Sequence, residues 1–143
     1  VHALAVLPNG DLVAGGEFTT TTGAPANHIA RWNGSTWSAL GTGTSAAVNA
    51  LTTAANGSLL VGGNFIAAGG APANRIARWN GSWSALGSGL GGPVRAIAEL
   101  ANGAIVVGGD FPTAGGAPAS RIAQWQSGTW SALGTGCDGS VFD

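Results

Sequence analysis

The sequence has no lysine and no methionine, a single cysteine, and charged residues at only 8% of its 143 positions. Each shortage closes off something. All five basic residues are arginines (Arg31, Arg75, Arg78, Arg95 and Arg121), set against six acidic ones for a formal net charge of −1. That balance offers no basic field to a phosphate backbone, so nucleic acid is not an expected partner. Without lysine a Walker loop cannot form, and the G-x-G-x-x-G spacing at Gly87 to Gly92 precedes a strand rather than a phosphate-receiving helix. Cys137 has no second thiol to pair with. Apolar runs are broken within a few residues by Gly or Asn, too soon for a membrane span. No signal peptide is visible. Lacking Met, the chain reads as an excised piece of something longer or as a mature product. Straight-chain helix formers are also scarce, which leaves little material for helices.

What the chain does have is glycine, 26 residues of it, and a repeat. Glycine without a Gly-x-y period points to tight turns and short strands. Val1, Val48, Val94 and Val141 stand 47, 46 and 47 residues apart, and 27 of 46 aligned positions match between the first two units. Each unit reads as four strands. "VHALAVL" is followed by an Asn-Gly turn, expected to take positive φ at both residues, and then by "LVAGGEF". A longer loop ("TTTTGAPAN") leads to "HIARW", and a second tight turn leads to "TWSALG". Four antiparallel strands in this period are the pattern of a β-propeller blade. The expected fold is therefore all-β, with blades at 1–47, 48–93 and 94–140 and the start of a fourth at 141–143. Propellers close with roughly four to eight blades, so three need company. Further blades are expected from a longer parent chain or from self-association. The long connections share one face of the ring, which is where a ligand is expected.

The run "LPNGDLV", continued by "GGEF" and "GAPANHIARW", resembles the delta-sixty β-propeller repeat of bacterial surface and secreted proteins, though "WNGSTWSALG" replaces that family's Asp-Gly turn and Leu-Asp pair. The double glycine followed by two spaced aromatics also resembles the kelch unit, which places Tyr before Trp at a wider spacing. The resemblance implies a propeller and an extracellular or cell-surface location. It implies no one activity, because propellers host binding, scaffolding and catalysis alike.

Candidate sites recur with the unit. The glycine pairs Gly15-Gly16, Gly62-Gly63 and Gly108-Gly109 are read as close-packing points rather than as a ligand cradle. Glu17, Asn64 and Asp110 follow them. As a ring of oxygens they would suit a hard cation such as Ca²⁺, but the position keeps no fixed charge. Hydrogen bonding to loop backbone or to the third-strand residues Arg31, Arg78 and Gln124 is the preferred reading. His28, Arg75 and Arg121, just after Asn27, Asn74 and Ser120, enter the third strand from the long loop and are read as rim donors for a sugar or a carboxylate. His2 is read as a buried structural histidine. The tryptophan pairs Trp32/Trp37, Trp79/Trp83 and Trp125/Trp130 are read as filler between blades, because a large aromatic fills the wedge that widens away from the axis. Asn33-Gly-Ser, Asn56-Gly-Ser and Asn80-Gly-Ser match the glycosylation triplet, but turn chemistry alone would produce them.

No nucleophile stands beside a tuning partner, and the carboxylates fall mostly at repeat-equivalent or turn positions. No catalytic residue, metal or cofactor is expected. The reading is a non-enzymatic scaffold or binding module with protein or glycan contacts on the long-loop face, the alternative being a carbohydrate-binding propeller.

Overall fold

A computed structural model describes residues 1–142. Of the fourth-blade start expected at 141–143, Val141 and Phe142 are described and Asp143 lies outside the described residues. Three four-stranded antiparallel sheets follow one another, each with its strands in sequence order, and no helix is present among the described residues. The first strands are Ala3–Val6, Val48–Thr53 and Val94–Glu99, and the second are Leu12–Gly15, Leu59–Gly63 and Ile105–Gly109. The third are Ile29–Trp32, Ile76–Trp79 and Ile122–Gln126, and the fourth are Trp37–Ala39, Trp83–Ala85 and Thr129–Ala132. The first strands of successive sheets lie against one another, which makes them the inner strands. The three sheets are three propeller blades.

Two details depart from the sequence reading. The Asn-Gly connections between first and second strands are not two-residue turns. Gly10, Gly57 and Gly103 take positive φ, whereas Asn9, Asn56 and Asn102 do not. Each asparagine instead accepts the backbone N–H two residues on, at 3.0–3.1 Å, which fixes a three-residue turn closed by a left-handed glycine. The long loop between second and third strands also contains a miniature hairpin in every blade: Thr20–Thr21 with Ala24–Pro25, Ala67–Ala68 with Ala71–Pro72, and Thr113–Ala114 with Ala117–Pro118. Strands of two residues carry no alternation to read.

The core sits between blades rather than within them. One cluster joins Val13, Ile29 and Leu40 of the first blade to Val48, Val61 and Phe65 of the second. The other joins Leu60, Ile76 and Leu86 of the second to Val94, Val107 and Phe111 of the third. The second strand Leu59–Gly63 is buried at every position, because it has a blade on both sides.

The glycine pair divides its labour. A Cβ on Gly15, Gly62 or Gly108 would collide with Val48, Val94 or Val141 of the following unit. A Cβ on Gly63 or Gly109 would instead strike the backbone of its own incoming chain, at Ala47–Val48 or Pro93–Val94. Val141 thus takes on the third blade the seat that Val48 and Val94 take on the first and second, and its N–H donates to Gly109 O at 3.3 Å, as Val48 N–H does to Gly16 O at 3.2 Å.

Gly62→Ala should cost about 2 kcal/mol by overpacking, with Gly62→Ala/Val94→Ala losing less than the sum of the single changes. Urea unfolding of the four proteins measures this, and additive losses would show that the two residues do not meet.

Candidate functional site

Strand direction brings the start of the first strand and the end of the second to the long-loop face. In the second and third blades the first strand slips register there, between Val48 and Ala50 and between Val94 and Ala96. Asn49 and Arg95 are the extra residues of these bulges, and a bulge re-aims the side chain that it leaves out of the ladder. His2 is the equivalent residue of the first blade and Phe142 that of the fourth unit. The four line one cavity of about 310 Å³.

Asn49, Arg95 and their equivalent His2 each face the polar residue that follows the glycine pair 15 positions later. His2 Nε2 lies 3.8 Å from Glu17 Oε1. Asn49 Nδ2 donates to Asn64 Oδ1 and to Val94 O, each at 3.1 Å. Arg95 Nε donates to Asp110 Oδ2 at 2.6 Å, and its guanidinium carbon lies 5.3 Å from the centre of the Phe142 ring. His2 Nδ1 is 3.2 Å from Asn49 Oδ1, so the pairs connect around the axis. A hydrogen bond from the Ser140 side chain, then one from Arg95, hold the Asp110 carboxyl below the usual carboxylate range. The mouth thus offers donors, acceptors and one aromatic plane.

This arrangement corrects two expectations. The residues after the glycine pair do not partner the third strand. Arg31 lies opposite Val13, too far along the second strand from Gly16, and it pairs with Asp11 at 2.5 Å. His2 is not buried, since its side chain is 40% exposed at the cavity.

The remaining rim residues do not join the axial mouth. Asn27 Nδ2 donates to Thr42 O at 2.9 Å and Asn74 Nδ2 to Ser88 O at 3.1 Å, tying the exit of the fourth strand to the entry of the third. His28, Arg75 and Arg121 each hold a left-handed φ of 71°. Arg75 Nη1 donates to Asn64 O at 2.8 Å, and Arg121 Nη1 donates to Cys137 O at 3.2 Å. Two separate grooves result, one of about 360 Å³ beside Asn27 and His28, the other of about 740 Å³ beside Arg121, Cys137 and Asp138. Among the described residues no three His, Cys, Asp or Glu side chains gather as a metal site.

The tryptophans act between blades. The rings of each pair sit 5.2–5.4 Å apart and tilted. Trp83 Nε1 donates to Leu40 O of the blade before, and Trp130 Nε1 to Leu86 O, both at 2.9 Å. Gly41 and Gly87, at positive φ, receive the next blade's tryptophans where a side chain would crowd them. The miniature hairpins add a second clasp. Ser45 N–H donates to Ala67 O and Gly69 N–H to Gly43 O, repeated by Gly91 to Thr113 and Gly115 to Gly89.

A family model described as a domain of unknown function, DUF5122, beta-propeller, matches residues 7–35 and 54–85. The first stretch runs from the first turn to just past the third strand of its unit, and the second from the same turn to the end of the fourth strand of the next unit. This is a β-propeller repeat protein. Comparison with curated proteins and with solved structures found no match.

What the sequence reading missed in this propeller is the pairing itself. His with Glu, Asn with Asn and Arg with Asp recur at one spacing and keep donor–acceptor complementarity while both residues change. Since folding lowers the Asp110 pKa, its contacts add stability above the ordinary carboxylate range and lose it as pH falls through the folded value. In a carboxyl-carbon NMR titration, Ser140→Ala and Arg95→Gln should each move the Asp110 midpoint up. An unmoved midpoint in both variants would remove the assigned cause.

Proposed function

We propose that this chain is a non-enzymatic propeller scaffold of the delta-sixty or kelch-like kind, secreted or displayed at a cell surface. Its blades stack head to tail on further blades, and protein or glycan partners meet the long-loop face. One observation carries the reading: the two ends of the array hold the unused halves of the contact that joins its interior blades. Leu133 is 38% exposed, whereas its equivalents Leu40 and Leu86 are 1% and 2% exposed. Nothing stands near a Cβ on Gly134, although Gly41 and Gly87 are covered by tryptophans. At the opposite end Leu4 and Val6 are 60% and 61% exposed, and among the described residues the Trp37 indole N–H makes no bond like those of Trp83 and Trp130 to a leucine carbonyl. A second blade of the same design fits both ends. Two or three copies of the chain would give six or nine blades, and further blades in the same polypeptide would serve as well.

The carbohydrate-binding alternative draws on the axial mouth, where Arg95, Asn49 and His2 surround the Phe142 ring. Amide and guanidinium groups beside an aromatic plane suit sugar hydroxyls and the apolar face of a pyranose.

Light scattering of the folded chain should give a multiple of 13.9 kDa. Trp37→Ala should lower the association constant tenfold or more while leaving the circular dichroism intact. Trp130→Ala, which breaks an interior contact, should lower the melting temperature instead. A well-folded monomer at high concentration would rule out self-association.

A further inference from the structure

Arg78 stands apart from the other arginines. Its Nε is one of only two buried side-chain nitrogen or oxygen atoms without a hydrogen-bond partner among the described residues. Leaving such a donor unmatched is costly, and a guanidinium in this condition calls for an anion. The first blade shows what is missing. Arg31 and Arg78 occupy the same place in their blades, opposite Val13 and Ser38 in one and opposite Leu60 and Ser84 in the other. Arg31 Nε and Nη2 both donate to Asp11 Oδ2, each at 2.5 Å. The residue equivalent to Asp11 in the second blade is Ser58. Ser58 carries no charge, and its hydroxyl donates to Asn56 Oδ1 at 2.6 Å. Glu99, the acidic residue at the turn end of the third blade's first strand, is engaged by the N–H of Ala55 at 2.7 Å.

The groove between the first two blades has about 470 Å³ of space, lined by Arg31, Asn56, Trp79 and Asn80 among others. In the next groove along, the repeat places Arg78, Asn102, Trp125 and Gln126 at the positions equivalent to these four. We propose that Arg78 is a binding site for a small organic carboxylate in the groove between the second and third blades, the ligand taking the place that the Asp11 side chain takes in the first. The charge match is that of a guanidinium fork on a carboxylate, a charge-assisted pair stronger than a neutral hydrogen bond. Arg78 stands one residue from the short-turn end of its strand, away from the long-loop face, and the proposal does not depend on how the ring is completed.

Acetate is the probe, with chloride at equal ionic strength as its control, and the readout is the NMR signal of the Arg78 Nε–H. Acetate should shift that signal saturably at millimolar concentrations while chloride does not. Ser58→Asp, which gives the second blade the first blade's own carboxylate, should weaken the acetate response tenfold or more and move the signal toward that of Arg31. Asp11→Ser should create a second acetate-responsive arginine at Arg31. An Arg78 signal indifferent to acetate, or a full acetate response retained in Ser58→Asp, overturns the site.

Discussion

Val48, Val94 and Val141 each rest on the preceding unit at a point where that unit carries only a hydrogen, and the remaining architecture depends on this approach. The approach sets the distance between adjacent sheets near the axis. That distance lets the apolar faces merge into two inter-blade clusters. Further out the blades diverge, and a tryptophan of the following blade reaches back to a leucine carbonyl of the one before. Two well-packed aromatic side chains and an indole hydrogen bond offset the wider gap, each hydrogen bond contributing about 1 kcal/mol net. The structure is therefore held along the array, from neighbour to neighbour, as in other repeat proteins.

The same economy divides the surface by role. The miniature hairpins, which begin as the conspicuous part of the long-loop face, are committed to gripping the preceding blade. Asn27 and Asn74 are likewise committed, holding the exit loop of their own blade. What remains for recognition on that face is the axial mouth and two grooves beside His28 and Arg121. On the short-turn side, the arginines of the third strand lie between Asn-Gly turns, and their chemistry depends on whether the blade supplies its own carboxylate.

Much of the architecture was legible in the sequence because it follows from repetition. The valine spacing, the glycine pairs and the paired tryptophans each state one rule three times. The two-residue hairpins were hidden because "TTTTGAPAN" and "IAAGGAPAN" share no alternation, and a bend at Thr22-Gly23 or Gly69-Gly70 looks like any loop. The nearly constant second halves of these loops did carry a signal, and it was one of packing between blades. The axial mouth was half legible. Glu17, Asn64 and Asp110 stood out, but their partners were sought on the third strand, since nothing in local spacing reveals a bulge. His2 was assigned to the interior because its strand was expected to be mostly buried, whereas the start of that strand opens onto the axial cavity.

The bulges at Asn49 and Arg95 have a consequence for how such a molecule changes over generations. A residue left out of the ladder owes nothing to backbone pairing, and its neighbour across the gap asks only for a complementary polar group. One unit can hold histidine with glutamate, the next asparagine twice and the third arginine with aspartate, all upon the same scaffold. Duplication of a unit therefore copies the fold faithfully while leaving its chemical face free to diversify, two coupled positions at a time.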